Sequence, residues 1–160
     1  MKTAFQAVLK KYQPAYMEQL KAFELPVEQA QFTAFPIDLL QTIEDEQHPV
    51  VVILADQEPV GFFMLHTSAR VAEYTDNPHA MLLTALSITY AQQGKGYAKQ
   101  GMNQLASFAA KEYPAVNEIV LAVNKRNISA QKLYQAVGFQ DSGRRKMGRK
   151  GEQLVFSLPL

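Results

Sequence analysis

Hydrophobic positions in this chain change period several times, and prolines mark most of the changes. Pro14, Pro26, Pro36, Pro49, Pro59, Pro78 and Pro114 stand between stretches of consistent pattern, as expected of a residue that lacks a backbone donor and restricts its predecessor. Thr3 to Lys11 fits a first strand. Ala15 to Phe23 puts Tyr16, Leu20 and Phe23 at helical spacing, and Ile37 to Glu44 reads as a second helix. The β-rich runs Val50 to Ala55 and Val60 to His66 flank Asp56-Gln57-Glu58-Pro59, whose turn chemistry predicts an antiparallel hairpin. A loop follows, from Thr67 to His79.

Met81 to Thr89 is apolar on both alternating faces, interrupted only by the small polar Thr84 and Ser87, which predicts a central strand buried on both sides. Glycines break the pattern at Gln92-Gln93-Gly94-Lys95-Gly96. Beyond them Ala98, Met102, Leu105 and Ala109, with Tyr97, Gly101 and Phe108 beside them, carry a helical period to Lys111. After Pro114, Glu118 to Val123 is another strand. Asn127 caps a helix whose buried face is Ala130, Leu133, Tyr134 and Val137, and Gly138 ends it where a left-handed residue is favoured. Phe139 to Arg145 and Leu154 to Leu158 form a closing strand pair around the basic stretch Arg144 to Lys150. The order of elements predicts an α/β chain with a mixed sheet.

Composition narrows the function. A chain of 160 residues, 48% hydrophobic, suits one domain spanning 1–160 with a substantial core. With no cysteine, it has no thiol nucleophile of its own, no thiolate metal site and no disulfide. Three scattered histidines make no metal site either. The longest apolar run, Val50 to Ala55, falls far short of the roughly 20 residues that span a bilayer. The first residues set lysines and a proline where a signal peptide needs apolar ones. A cytoplasmic protein without a membrane partner is expected. Residues 1–80 hold 5 Lys/Arg against 11 Asp/Glu, and residues 81–160 hold 11 against 4, so the basic half suits an anionic ligand and the acidic half a cationic one.

A strand feeding a glycine turn that opens a helix presents free backbone N–H groups to phosphate oxygens. Two familiar loops fail here. The dinucleotide fingerprint needs a third glycine where Lys99 stands, and the P-loop needs a glycine at Thr89 and a hydroxyl residue at Gly96. Gln93-Gly94-Lys95-Gly96-Tyr97-Ala98 instead resembles the Gln/Arg-x-x-Gly-x-Gly/Ala loop with which the GCN5-related N-acetyltransferases grip acetyl-CoA. Asn127 to Phe139, with its asparagine, alanine, Leu133-Tyr134 pair and Gly138-Phe139, is similar to the family's second signature. The resemblance spans Met81 to Phe139.

The resemblance implies a mostly antiparallel mixed sheet flanked by helices and acetyl-CoA as co-substrate. The amides of Gly94 to Ala98 would hold its pyrophosphate, with Lys95, Lys99 and Lys132 adding positive charge. The pantetheine arm would lie along the fourth strand beside Leu86 and Ile88, and the amide of Ile88 or a near neighbour would polarise the thioester carbonyl. Asn127 would approach the pantetheine, and Tyr134 would protonate the departing CoA thiolate. Gly96→Val would then exclude the pyrophosphate while keeping the fold, provided Gly96 is not at positive φ.

The family's usual glutamate base on the fourth strand is missing, since no Asp or Glu occurs between Asn77 and Lys111. Glu73, Asp76, His79 and His66 are the candidates to replace it, directly or through water. The implied partners are acetyl-CoA and a small-molecule amine, by direct attack in a ternary complex, with a homodimer left open. Glu44-Asp45-Glu46, Glu73 and Asp76 favour a cationic acceptor such as a polyamine. A protein or peptide N-acetyltransferase and a non-catalytic acetyl-CoA sensor are the alternatives. The Arg144 to Lys150 stretch lacks the interleaved aromatics of a nucleic-acid surface and reads as a solvated hairpin.

Overall fold

Val50–Ala55 is apolar without interruption, and such a strand is stable only with a core on each of its faces. The computed structural model describes residues 6–22, 24, 50–67 and 69–160. Among these, β1 (Ala7–Lys11), β2 (Val50–Ala55), β3 (Glu58–His66), β4 (Ala80–Ile88), β5 (Glu118–Asn124), β6 (Gln140–Gly148) and β7 (Gly151–Pro159) form one sheet in the order β1-β2-β3-β4-β5-β7-β6. Every neighbouring pair is antiparallel except β4 and β5. The helices are α1 (Met17–Lys21), α2 (Tyr97–Asn103), α3 (Leu105–Glu112) and α4 (Ile128–Ala136). The mixed, mostly antiparallel α/β sheet agrees with expectation. The Thr3 end of the first strand, the Phe23 end of the first helix and the whole Ile37 to Glu44 helix lie outside the described residues.

Both faces of the sheet are covered. On one, Ile53, Phe63, Leu83 and Leu121 pack against Met102, Leu105, Ala109 and Tyr134 of α2 to α4. On the other, Leu20 of α1 packs on Val52, Leu54 and Phe62. A 3-10 turn at Ala69–Glu73, inside the expected loop, sets Val71 and Tyr74 on Leu82 and Val120. The predicted helix after the glycines is interrupted at Gln104. There the chain is tied to β1, because Gln100 Oε1 accepts from the Ala7 amide at 2.7 Å and the Gln104 side-chain amide donates to the Ala7 carbonyl.

Two details correct the sequence reading. The hairpin turn is Asp56-Gln57 alone, at φ +52° and +66°, while Glu58 and Pro59 belong to β3. Pro59 pairs with Leu54 where the register shifts, and a bulge of this kind tolerates the missing donor. The second correction bears on the site. β4 is continuously buried from Ala80 to Leu83, but Thr84 to Leu86 and Ile88 are half-buried, because the pairing with β5 runs from Ala80↔Glu118 to Leu83↔Leu121 and stops. Just beyond, Ala85 adopts φ +63° at the register shift between β3 and β4, a bulge that redirects the strand.

Gly61 holds the two strands together at this point. A Cβ there would fall 2.5 Å from Ile88 Cδ1 and 2.7 Å from the Ser87 carbonyl oxygen. Gly61→Ala is therefore expected to lower unfolding stability by about 1–3 kcal/mol, the usual cost of overpacking. Urea denaturation measures it, and an unchanged midpoint with unchanged slope contradicts this packing.

Candidate active site

Where β4 and β5 part, β5 stays paired with β7 along its full length, from Glu118↔Pro159 to Asn124↔Gln153. Among the described residues the β4–β5 pairing does not extend past Leu83, and a cleft of about 1060 Å³ opens beside Thr84 to Ile88. Strand edges of this kind carry amides and carbonyls that need partners, and an extended ligand can supply them. Leu86 and Ile88 line the cleft from the free half of β4.

The glycine turn closes one end. Gly94 and Gly96 sit at φ +79° and +84°, left-handed values of the kind that bring successive amides round to one side in anion-binding turns. Gly94, Gly96, Tyr97, Ala98 and Lys99 all line the cleft, and Tyr97 is buried beneath it. The Gln93 side chain also lines it, and its Nε2 donates to the Ile88 carbonyl at 2.8 Å, bracing the end of β4. Lys95 stands outside the lining, its ammonium donating to Gln92 Oε1 at 3.0 Å. At Gly96 a Cβ would meet only Gln100 Nε2 at 3.8 Å, so space is open, but the positive φ strains any L side chain. The proviso attached to Gly96→Val thus fails, and that variant cannot separate lost binding from backbone strain.

Asn127 is the expected cap, its Oδ1 accepting from the Ala130 amide at 3.2 Å, and it too lines the cleft. It starts α4 at the height that brings Tyr134 to the cleft wall. Tyr134 is buried edge-on against Phe139, ring centroids 5.5 Å apart, and among the described residues nothing hydrogen-bonds its hydroxyl. Burial pushes its phenol well above the ordinary tyrosine range, so it remains a proton donor at physiological pH.

The four candidate bases separate cleanly. Glu73 accepts a hydrogen bond from Lys146 at 2.9 Å, which holds its carboxyl below the usual value, and Asp76 is engaged by Arg144. His79 precedes β4 at the end away from the cleft and is exposed. His66 is buried, and its Nε2 lies 2.6 Å from the hydroxyl of Thr84, a cleft-lining residue that the sequence reading treats only as a polar interruption. Arg70, Lys146, Arg149 and Lys150 also line the cleft, a convergence that needs the β6–β7 hairpin to fold beside β5 and has no signature in sequence spacing. Within the basic stretch, Arg145 pairs with Asp141, and Arg144 and Lys146 with Asp76 and Glu73. Among the described residues no group of His, Asp and Glu stands ready to hold a metal ion, and no helix is long and apolar enough to cross a membrane.

Residues 6–139 match the model of the acetyltransferase (GNAT) family. An uncharacterized N-acetyltransferase of Bacillus subtilis (strain 168), YbbJ, is 44% identical over 146 residues, 90% of this chain and 91% of that protein. Among solved structures, the aminoglycoside acetyltransferase AAC(6')-Ib in complex with paromomycin and acetyl-CoA shares the fold with a TM-score of 0.73 at 15% identity, over 96% of this chain and 93% of that one. A chimera of the spermidine N-acetyltransferase SpeG, from Vibrio cholerae and hSSAT, has a TM-score of 0.70 at 18% identity, over 96% of this chain and 95% of that one. The chain belongs to the GNAT family and is an acetyl-CoA-dependent N-acetyltransferase.

Acetyl-CoA or CoA is accordingly expected to raise the melting temperature, with NAD and ATP much weaker at equal concentration, because the loop suits neither nucleotide fingerprint. Thermal shift with all four ligands checks this, and equal shifts contradict it.

Proposed function

Starting from that membership, we propose that the chain transfers the acetyl group to a primary amine of a small molecule by direct attack in a ternary complex. The turned amides of the glycine loop take the pyrophosphate, and the pantetheine lies along Thr84 to Ile88, with Leu86 and Ile88 beside it. Amides of this free segment polarise the thioester carbonyl. Tyr134 protonates the departing thiolate. The observation that carries the reading is the end of the β4–β5 pairing at Leu83↔Leu121, which leaves a cleft along β4 between a positive-φ glycine loop and a buried tyrosine.

For the acceptor, a polyamine draws support from the acidic first half of the chain and from neighbours named for aminoglycosides and spermidine. Glu44-Asp45-Glu46 lies outside the described residues, and Glu73 and Asp76 are engaged by Lys146 and Arg144. The described cleft lining holds Arg70, Lys99, Lys146, Arg149 and Lys150 and no Asp or Glu. That charge favours a second reading, an amine bearing its own carboxylate or phosphate group. Acetylation rates over amines of graded charge separate the two, since a polyamine optimum supports the first and an anionic-amine optimum the second.

Tyr134→Phe keeps the ring that packs on Phe139 and removes only the hydroxyl. It is expected to lower kcat by roughly 10²-fold with little change in melting temperature or acetyl-CoA affinity. Steady-state acetylation and melting curves on both proteins measure this, and an unchanged kcat removes Tyr134 from proton transfer.

A further inference from the structure

Tyr134 belongs to the helix-covered face of the sheet, in one cluster with Leu83 and Leu121. The opposite face at the same level holds a different pair. Leu82 packs toward the 3-10 turn on that face, and the strand pleat carries Thr84, two residues on, to the same side. His66, opposite Leu82 on β3, reaches Thr84 with Nε2 at 2.6 Å from the hydroxyl. Thr84 is also the first residue of β4 beyond its last pair with β5 and lines the cleft, whereas His66 is 4% exposed. A buried imidazole is thus connected to the gap between the strands through one hydroxyl, across the sheet from the acid.

Resting on the acetyl-transfer reading above, we infer that Thr84 and His66 draw the proton from the acceptor amine. Thr84 touches the nitrogen, and His66 sits behind it. In the tautomer with its proton on Nδ1, His66 accepts the Thr84 hydroxyl proton at Nε2 while the hydroxyl oxygen takes one from the ammonium, which leaves a neutral nucleophile. Attack forms the C–N bond. As the C–S bond breaks, Tyr134 gives a proton to the sulfur and is reprotonated by the second nitrogen proton, through water. The first proton leaves His66 for solvent by the reverse path after the products depart, so the step yields amide, free thiol and one proton. The other candidate bases are engaged or remote: Glu73 and Asp76 are held by Lys146 and Arg144, and His79 lies at the far end of β4, while Arg70 is a cation of the cleft wall.

The relay is tested with Thr84→Val, Thr84→Ser and His66→Gln, on the best acceptor from the amine screen and on its analogue fluorinated beside the aminomethyl carbon, whose amine is largely neutral without help. Valine keeps the shape of threonine without the hydroxyl, and glutamine keeps a donor near Nε2 without proton capacity. Thr84→Val and His66→Gln are expected to lose roughly 10²-fold in kcat/KM on the parent amine and less than about threefold on the fluorinated one, with Thr84→Ser near wild type. Equal losses on both amines indicate a structural role and overturn the relay, as does an unchanged rate on the parent. If His66→Gln fails to fold, the contrast between valine and serine at 84 decides. A wild-type protein that acetylates no amine contradicts the acetyl-transfer reading itself, whereas an active wild type with equal losses contradicts only the relay.

Discussion

The parallel pairing of β4 with β5 ends after Leu83↔Leu121, and the rest of the site depends on that ending. A strand edge inside a protein must find partners for its amides and carbonyls, because leaving them unmade costs a desolvation penalty of about 1–3 kcal/mol each. β5 gives β4 no partners beyond Leu121, because the Ala85 bulge turns β4 away. What remains is a ready-made template for an extended ligand with amides of its own. The pantetheine arm of acetyl-CoA is such a ligand.

Other features fall into place around that edge. Gln93 braces the Ile88 carbonyl, so the edge and the glycine loop form one rigid corner. The Asn127 cap sets the start of α4, and seven residues later Tyr134 arrives at the cleft wall. The sheet separates Tyr134, on the helix face, from the Thr84–His66 pair on the other. Ion pairs Glu73–Lys146 and Asp76–Arg144 tie the β6–β7 hairpin to the segment after β3, beside the part of the cleft that Arg70, Tyr74 and Lys146 line. Exposed pairs like these add little stability, so their effect is one of position.

Much of this was legible in the residues. The hairpin of β2 and β3, the Asn127 cap and the Gly138 stop each rest on local chemistry that tertiary context did not override. Pro59 lies in β3 and not in the turn because a bulge admits proline inside a strand, a feature of strand pairing that composition does not reveal. The half-burial of β4 has no signature in sequence for a related reason: apolar Leu86 and Ile88 look the same whether they face a core or a ligand. Thr84 and His66 are 18 positions apart, and their contact follows from the β3–β4 register, in which Met64 faces Thr84 and His66 faces Leu82, a pairing that no spacing rule encodes.

Amide hydrogen exchange, with and without saturating acetyl-CoA, tests the central claim most directly. Ligand binding at the unpaired edge predicts slowed exchange at Leu86, Ile88 and the Gly94–Ala98 amides, with β2 and β3 unchanged. Protection confined to the β6–β7 turn, or none at saturation, contradicts it.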